Sequence, residues 1–261
     1  MATRSEIVEI GVDDESIAGT FLAPASKVPG VLFVHGWGGS QQRDLARARG
    51  IAGLGCVCLT FDLRGHEGSL LLQERVSRED NLRDLVAAYD RLALHPGIDS
   101  SAIAVIGTSY GGYLATILTT LRPVRWLALR VPALYRDEQW GLPKRLLDRV
   151  DLAQYRRGRV LPTENRALAA CAAFAGDVLL VESEYDEVVP HATLMSYRAA
   201  FQRTHSLTHR IVDDADHALS GNGCQQAYTS ILVNWVTEMV IGARIGGQAP
   251  GPLEGPKSVP V

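Results

Sequence analysis

The sequence predicts an α/β domain built on a mostly parallel central sheet with helices on both faces. Short apolar runs of strand length alternate with longer amphipathic segments from residue 31 to residue 130, and the same rhythm resumes from 177 to 242. Such alternation forces crossover connections and hence parallel strands. One apolar run also ends in a glycine-flanked turn that opens directly into a helical stretch.

At the start, Ile7–Val12 and Ser16–Leu22 alternate apolar and polar residues around the acidic turn Asp13-Asp14-Glu15, which predicts an antiparallel hairpin. There follow a strand at 31–34, a helix near 42–53, a strand at 56–61, a helix at 78–94, a strand at 102–106, a helix at 111–121 and a strand at 124–130. Between 131 and 170 the rhythm breaks at Pro132, Pro143 and Pro162, and this stretch is expected to form a small helical lid over the sheet. A strand at 177–182, a helix at 190–202, a strand at 209–212 and a helix at 223–242 complete the pattern. From Gly246 to Val261 glycine and proline dominate, so 246–261 reads as a flexible tail behind a single domain at 1–245.

Composition narrows the function. A chain of 261 residues with 46% hydrophobic content can bury one substantial core. The net charge of −3 and a pI near 6.2 give no basic footprint, so no nucleic-acid partner is expected. No apolar run reaches the roughly eighteen residues needed to span a bilayer, and the first residues lack a signal-peptide pattern; a soluble, cytoplasmic protein without a membrane partner is expected. The four cysteines form no C-x-x-C framework. His205 and His209 lack a converging third ligand in the sequence, so neither metal nor cofactor is expected.

The chemistry concentrates in a few loops. Gly107-Thr108-Ser109-Tyr110-Gly111-Gly112 follows the run Ala102–Ile106, and a serine on a tight strand-to-helix turn needs neighbours without side chains because the backbones crowd together. Upstream, the strand ending at Val34 empties into His35-Gly36-Trp37-Gly38-Gly39-Ser40, a loop that can turn backbone N–H groups toward a ligand. Downstream, Asp177–Glu182 leads to Ser183-Glu184-Tyr185-Asp186-Glu187-Val188-Val189-Pro190, and His209–Val212 leads to Asp213-Asp214-Ala215-Asp216-His217.

From about Val28 to about Val240 the chain resembles the α/β-hydrolase family, and within it small esterase-like members related to dienelactone hydrolases and prolyl-oligopeptidase-like enzymes. The residues that carry the likeness are His35–Gly38, Phe61-Asp62-Leu63-Arg64-Gly65-His66-Glu67-Gly68-Ser69, the Ser109 turn, Asp186–Pro190 and Asp216-His217, together with the order serine, acid, histidine. Ser183 and Asp214 depart from the pattern, standing where many relatives carry glycine.

The resemblance implies a serine hydrolase in which Ser109 attacks, His217 takes its proton and Asp186 orients the imidazole, with Glu184, Glu187 and Asp213 as competitors for the acid. The backbone N–H groups of Trp37 and Tyr110 would form the oxyanion hole, and both side chains would reach the pocket wall. His35 is expected to be structural, and Asp62 and Arg64 to order a loop. Trp37, Tyr135, Trp140, Leu142 and Val188 are the candidate substrate contacts. A small ester is the expected partner; a peptidase and a silent binding fold are the alternatives, and a homo-oligomer stays open.

Overall fold

The computed structural model describes residues 3–12, 15–24 and 27–246. β1 (Thr3–Val12) and β2 (Glu15–Pro24) pair antiparallel as a separate two-stranded sheet; the acidic turn at 13–14 and the tail beyond 246 lie outside the described residues.

The main sheet has six parallel strands in the order β4-β3-β5-β6-β7-β8. They are β3 (Val28–Val34), β4 (Val57–Thr60), β5 (Ile98–Thr108), β6 (Trp126–Arg130), β7 (Asp177–Ser183) and β8 (Ser206–Val212). The seven helices among the described residues are α1 (Gln42–Ala52), α2 (Arg78–Ala93), α3 (Tyr110–Leu118), α4 (Arg149–Arg157), α5 (Arg166–Ala173), α6 (His191–Ala200) and α7 (Asn222–Gly246). The central strands read as continuous apolar runs because both their faces are covered.

Alternation along each strand assigns those faces. Leu32, Val34, Val105, Leu127, Leu129 and Leu180 point to one side, where they pack with Leu85, Leu114, Leu168 and Leu194 of α2, α3, α5 and α6. Val31, Phe33, Ala104, Ile106, Ala128 and Val181 point to the other and meet Ile51 of α1 and Leu232, Trp235 and Val236 of α7. The edge strands β4 and β8 remain half-covered.

Helix starts follow local chemistry. α2 opens with a capping box in which Ser77 Oγ accepts from the Asp80 N–H at 3.1 Å and Asp80 Oδ2 accepts from the Ser77 N–H at 3.0 Å. Between β6 and β7 the excursion expected at 131–170 consists of short 3-10 turns, α4 and the start of α5. The bridge between Ser77 and Pro143 and the Lys144 N–H to Val76 O bond at 3.1 Å tie it down.

Candidate active site

The C-terminal ends of β3, β5, β6, β7 and β8 carry the candidate residues. Ser109 stands between β5 and α3 at φ 51° and ψ −112°, a left-handed backbone unusual for a residue with a side chain. The flanking glycines make the turn sterically accessible. A Cβ on Gly107 would lie 2.7 Å from Gly111 O, and one on Gly111 would lie 2.2 Å from Val34 O. Neighbouring backbone holds the strained residue: the Ser109 N–H donates to Arg130 O at 2.8 Å, and Ser109 O accepts from the Ala133 N–H at 3.0 Å.

His217 and Asp186 come to Ser109 from two further loops. His217 Nε2 lies 3.1 Å from Ser109 Oγ, and His217 Nδ1 lies 2.6 Å from Asp186 Oδ2. The other oxygen, Asp186 Oδ1, accepts from the N–H groups of Val188 at 2.8 Å and Val189 at 2.7 Å, so the carboxylate is fixed before the imidazole meets it. Its side chain is 3% exposed, against 25% for His217.

Of the competing acids, Glu184 is occupied elsewhere: its Oε2 accepts from the Asp214 N–H at 2.8 Å and clamps the loop that carries His217. Glu187 and Asp213 are exposed. Asp214 adopts φ 57°, in the left-handed region that favours glycine. Ser183 is buried and takes a 3.4 Å bond from Arg130.

On the opposite side of Ser109 runs the loop His35–Gly39. Leu63 N–H donates to His35 Nε2 at 3.1 Å, which leaves Nδ1 to donate to Gly36 O at 2.8 Å; His35 therefore joins two loops. Asp62 accepts from the backbone and side-chain nitrogens of Gln41 at 2.8 and 2.7 Å, and Arg64 pairs with Asp84. The Tyr110 N–H is in the first turn of α3, where helical N–H groups have no carbonyl four residues back.

A cavity of about 410 Å³ opens beside Ser109 and His217. Trp37 lines it, with Gly36, Arg43, Asp44, Arg47, Arg130 and Gln225. Four expected contacts do not. Tyr135 is 3% exposed and lies beneath Arg78, Lys144 and Arg156; burial opposes ionisation of its phenol, but Lys144 and Arg156 outweigh it and hold the group below the ordinary tyrosine value. Trp140 lines a separate hollow with α2 residues, stacked against Arg166 at 4.1 Å. Leu142 and Val188 face solvent.

Tyr110 also departs from expectation, because its ring is fully buried and its hydroxyl donates to Asn81 Oδ1 at 3.0 Å instead of reaching the cavity. The excursion folds down over α2 and α3, where aromatic and apolar side chains bury more area than an open cavity wall offers. The arginines were missed in the sequence. Their signals were an Arg closing the apolar strand β6 and an i, i+4 pair on the helix after the glycine-rich loop.

Among the described residues, no group of three or more His, Cys, Asp and Glu side chains could hold a metal ion. His205 pairs with Asp177, and His209 with Glu182. No helix among these residues is long and apolar enough to cross a membrane.

Similarity to known proteins agrees with this architecture. Two uncharacterized proteins from strains of Mycobacterium tuberculosis are each 34% identical over 104 residues, covering 40% of this chain and 36% of the relative, so the matched stretch spans about a third of their length. Among solved structures, dienelactone hydrolase from Anabaena variabilis is similar with a TM-score of 0.58 at 20% identity, over 90% of this chain and 98% of that one. A monoacylglycerol lipase from Paleococcus ferrophilus has a TM-score of 0.61 at 16% identity, over 92% and 100%. The esterase domain of a Rhodothermus marinus protein has a TM-score of 0.58 at 19% identity, over 90% and 99%. At these identities the likeness shows a shared fold. The sequence profile of the alpha/beta hydrolase family matches residues 31–223, and the chain belongs to that family.

Proposed function

We propose that the protein is a serine hydrolase that cleaves carboxylic esters of short to medium size through an acyl-enzyme on Ser109. One observation carries the reading: the His217 ring bridges Asp186 Oδ2 and Ser109 Oγ, each within hydrogen-bond reach of a different ring nitrogen.

A serine hydroxyl is a weak nucleophile until a base removes its proton as it attacks. Asp186 accepts a hydrogen bond from the Nδ1–H group, which keeps Nε2 unprotonated toward Ser109, and its charge stabilises the imidazolium once the serine proton has moved. As Oγ bonds to the ester carbon, the carbonyl electrons pass to oxygen. The N–H groups of Trp37 and Tyr110 would receive that oxyanion; one such donor is worth about 2.7–4 kcal/mol in other hydrolases. His217 then returns its proton to the leaving alkoxide, the alcohol departs, and water repeats the sequence on the acyl-enzyme. The cavity of about 410 Å³ suits a compact acyl or alkyl group.

The test combines a fluorophosphonate probe with a panel of p-nitrophenyl esters of rising chain length and aminoacyl p-nitroanilides. Wild type is expected to be labelled and to prefer short or medium esters, and Ser109→Ala to lose both labelling and turnover. Full labelling of Ser109→Ala would reject the nucleophile. Faster cleavage of the anilides than of any ester would favour a peptidase, and the absence of both labelling and turnover would favour a silent fold.

A further inference from the structure

We propose that the cavity beside Ser109 selects substrates bearing an anionic group, a carboxylate or a phosphate-like group, which Arg43, Arg47 and Arg130 bind. The inference rests on the hydrolase reading and adds the substrate class.

Three guanidinium groups line this cavity, and Asp44 is the one carboxylate among its lining residues. Arg130 is 6% exposed, yet its hydrogen-bond partners are neutral: Ser183 Oγ at 3.4 Å and the backbone oxygen of His217 at 3.0 Å. It makes no ion pair among the described residues. Burial pushes its pKa down against the more distant pull of Asp186 and Asp44, neither of which is within ion-pair reach of it.

Arg47 is pre-positioned. Its Nη1 lies 3.3 Å from Asp44, its Nε donates to Thr229 at 3.2 Å, and its guanidinium stacks 4.9 Å from the Tyr228 ring centre. The Arg130 guanidinium lies 5.6 Å from the centre of the same buried ring, so one aromatic plate supports both cations. Arg43 stands one helical turn before Arg47, is exposed, and has no side-chain hydrogen bond or ion pair among the described residues. Burial raises the Asp44 carboxyl pKa against the pull of Arg47, His35 and Arg130, and this single acid stands among three arginines in the cavity lining.

Planar guanidinium forks match the paired oxygens of a carboxylate or phosphate. A neutral chain in the same cavity would leave Arg130 buried and unpaired, and a site built to pair a group discriminates against the analogue lacking it. The discrimination therefore comes from what the neutral substrate fails to satisfy as well as from what the anion gains.

The experiment compares p-nitrophenyl valerate with the p-nitrophenyl hemiester of glutaric acid, in which a carboxylate replaces the terminal methyl, and with the 4-phosphonobutyrate ester. At low salt wild type is expected to favour at least one anionic ester by about tenfold or more in kcat/KM, with the preferred anion distinguishing the two sources. The preference should fall to within about threefold in Arg43→Gln/Arg47→Gln and survive in Arg49→Gln, a charge control on the same helix outside the cavity. Equal or better cleavage of the valerate at low salt, or a preference that persists in the double variant, would overturn the proposal.

A second arm uses Ser109→Ala, with binding of glutarate and neutral glutaramide followed by calorimetry. Glutarate bound more tightly than glutaramide, with the difference abolished by adding Arg43→Gln, supports the anion site even if no ester is hydrolysed, an outcome that would sink only the esterase reading. Equal binding or no binding of glutarate overturns the anion site.

Discussion

Replacing Asp186 with Asn isolates the part of the site that sets the tautomer of His217. In the native carboxylate, Oδ1 accepts two backbone N–H groups, from Val188 at 2.8 Å and Val189 at 2.7 Å, while Oδ2 faces His217 Nδ1. An Asn amide has one oxygen for these two tasks. Keeping that oxygen on the backbone pair turns its NH2 toward Nδ1, which must then accept. The ring proton moves to Nε2 and points at Ser109 Oγ, where a base is needed.

The opposite flip restores the useful tautomer but sets the NH2 against two N–H groups. Two lost bonds at about 0.5–1.5 kcal/mol each bias the amide toward the unproductive orientation by roughly 1–3 kcal/mol. With about 1.4 kcal/mol per factor of ten, the productive orientation falls to roughly a tenth or a hundredth. Loss of the charge that stabilises the imidazolium adds to this, and the comparable substitution in another triad lowers kcat about 10⁴-fold. We therefore expect kcat on the best p-nitrophenyl ester to fall by about 10³- to 10⁴-fold, with little change in melting temperature. A loss smaller than tenfold, or a Glu184→Gln variant that is crippled while Asp186→Asn is mild, would refute the reasoning.

Three further outcomes follow from local geometry. Gly111→Ala puts a Cβ 2.2 Å from Val34 O and should cost at least about 1–3 kcal/mol in denaturant unfolding, whereas Gly50→Ala in α1, with open space around it, should stabilise by about 0.5–1 kcal/mol; similar effects at both sites would contradict the steric account. The Ser77 N–H and hydroxyl, with Arg83, hold the Asp80 carboxyl at about 2, below its ordinary value, so its stabilising contribution is full above pH 4 and lost as pH falls toward 2. The stability gap between wild type and Asp80→Asn should therefore narrow on acidification, and a gap unchanged between pH 6 and pH 2 would reject this. Trp140→Ala should lower the melting temperature while leaving ester chain-length preference unaltered, since the hollow that Trp140 lines shares no residue with the cavity beside Ser109; a shifted preference would return the excursion to the substrate wall.

Much of the architecture was legible because its causes are local. The run Ala102–Ile106, the glycines flanking Ser109 and the apolar face of each helix are written in neighbouring residues, and the strands and helices lie within a few residues of the expected spans. Segment 131–170 was less legible, since proline punctuation marks a break in rhythm without saying which side of the sheet the chain returns to. By sequence its aromatic residues suit a cavity wall, whereas Tyr135 packs into the core and Trp140 lines a separate hollow.

By itself the sequence determined the alternating α/β order and the tight serine turn, both of which depend on residue type and short-range spacing. Only the tertiary structure shows which of Glu184, Asp186, Glu187 and Asp213 touches His217, because four carboxylates on nearby loops differ in what their oxygens reach. Asp186 reaches His217 Nδ1 while two N–H groups hold its other oxygen; Glu184 ends on the Asp214 N–H. The same holds for the cavity beside Ser109, where Arg47 of α1 and Arg130 of β6 meet over Tyr228 of α7. Convergence of segments far apart along the chain is set by how the helices pack on the two faces of the sheet, and no local pattern encodes it.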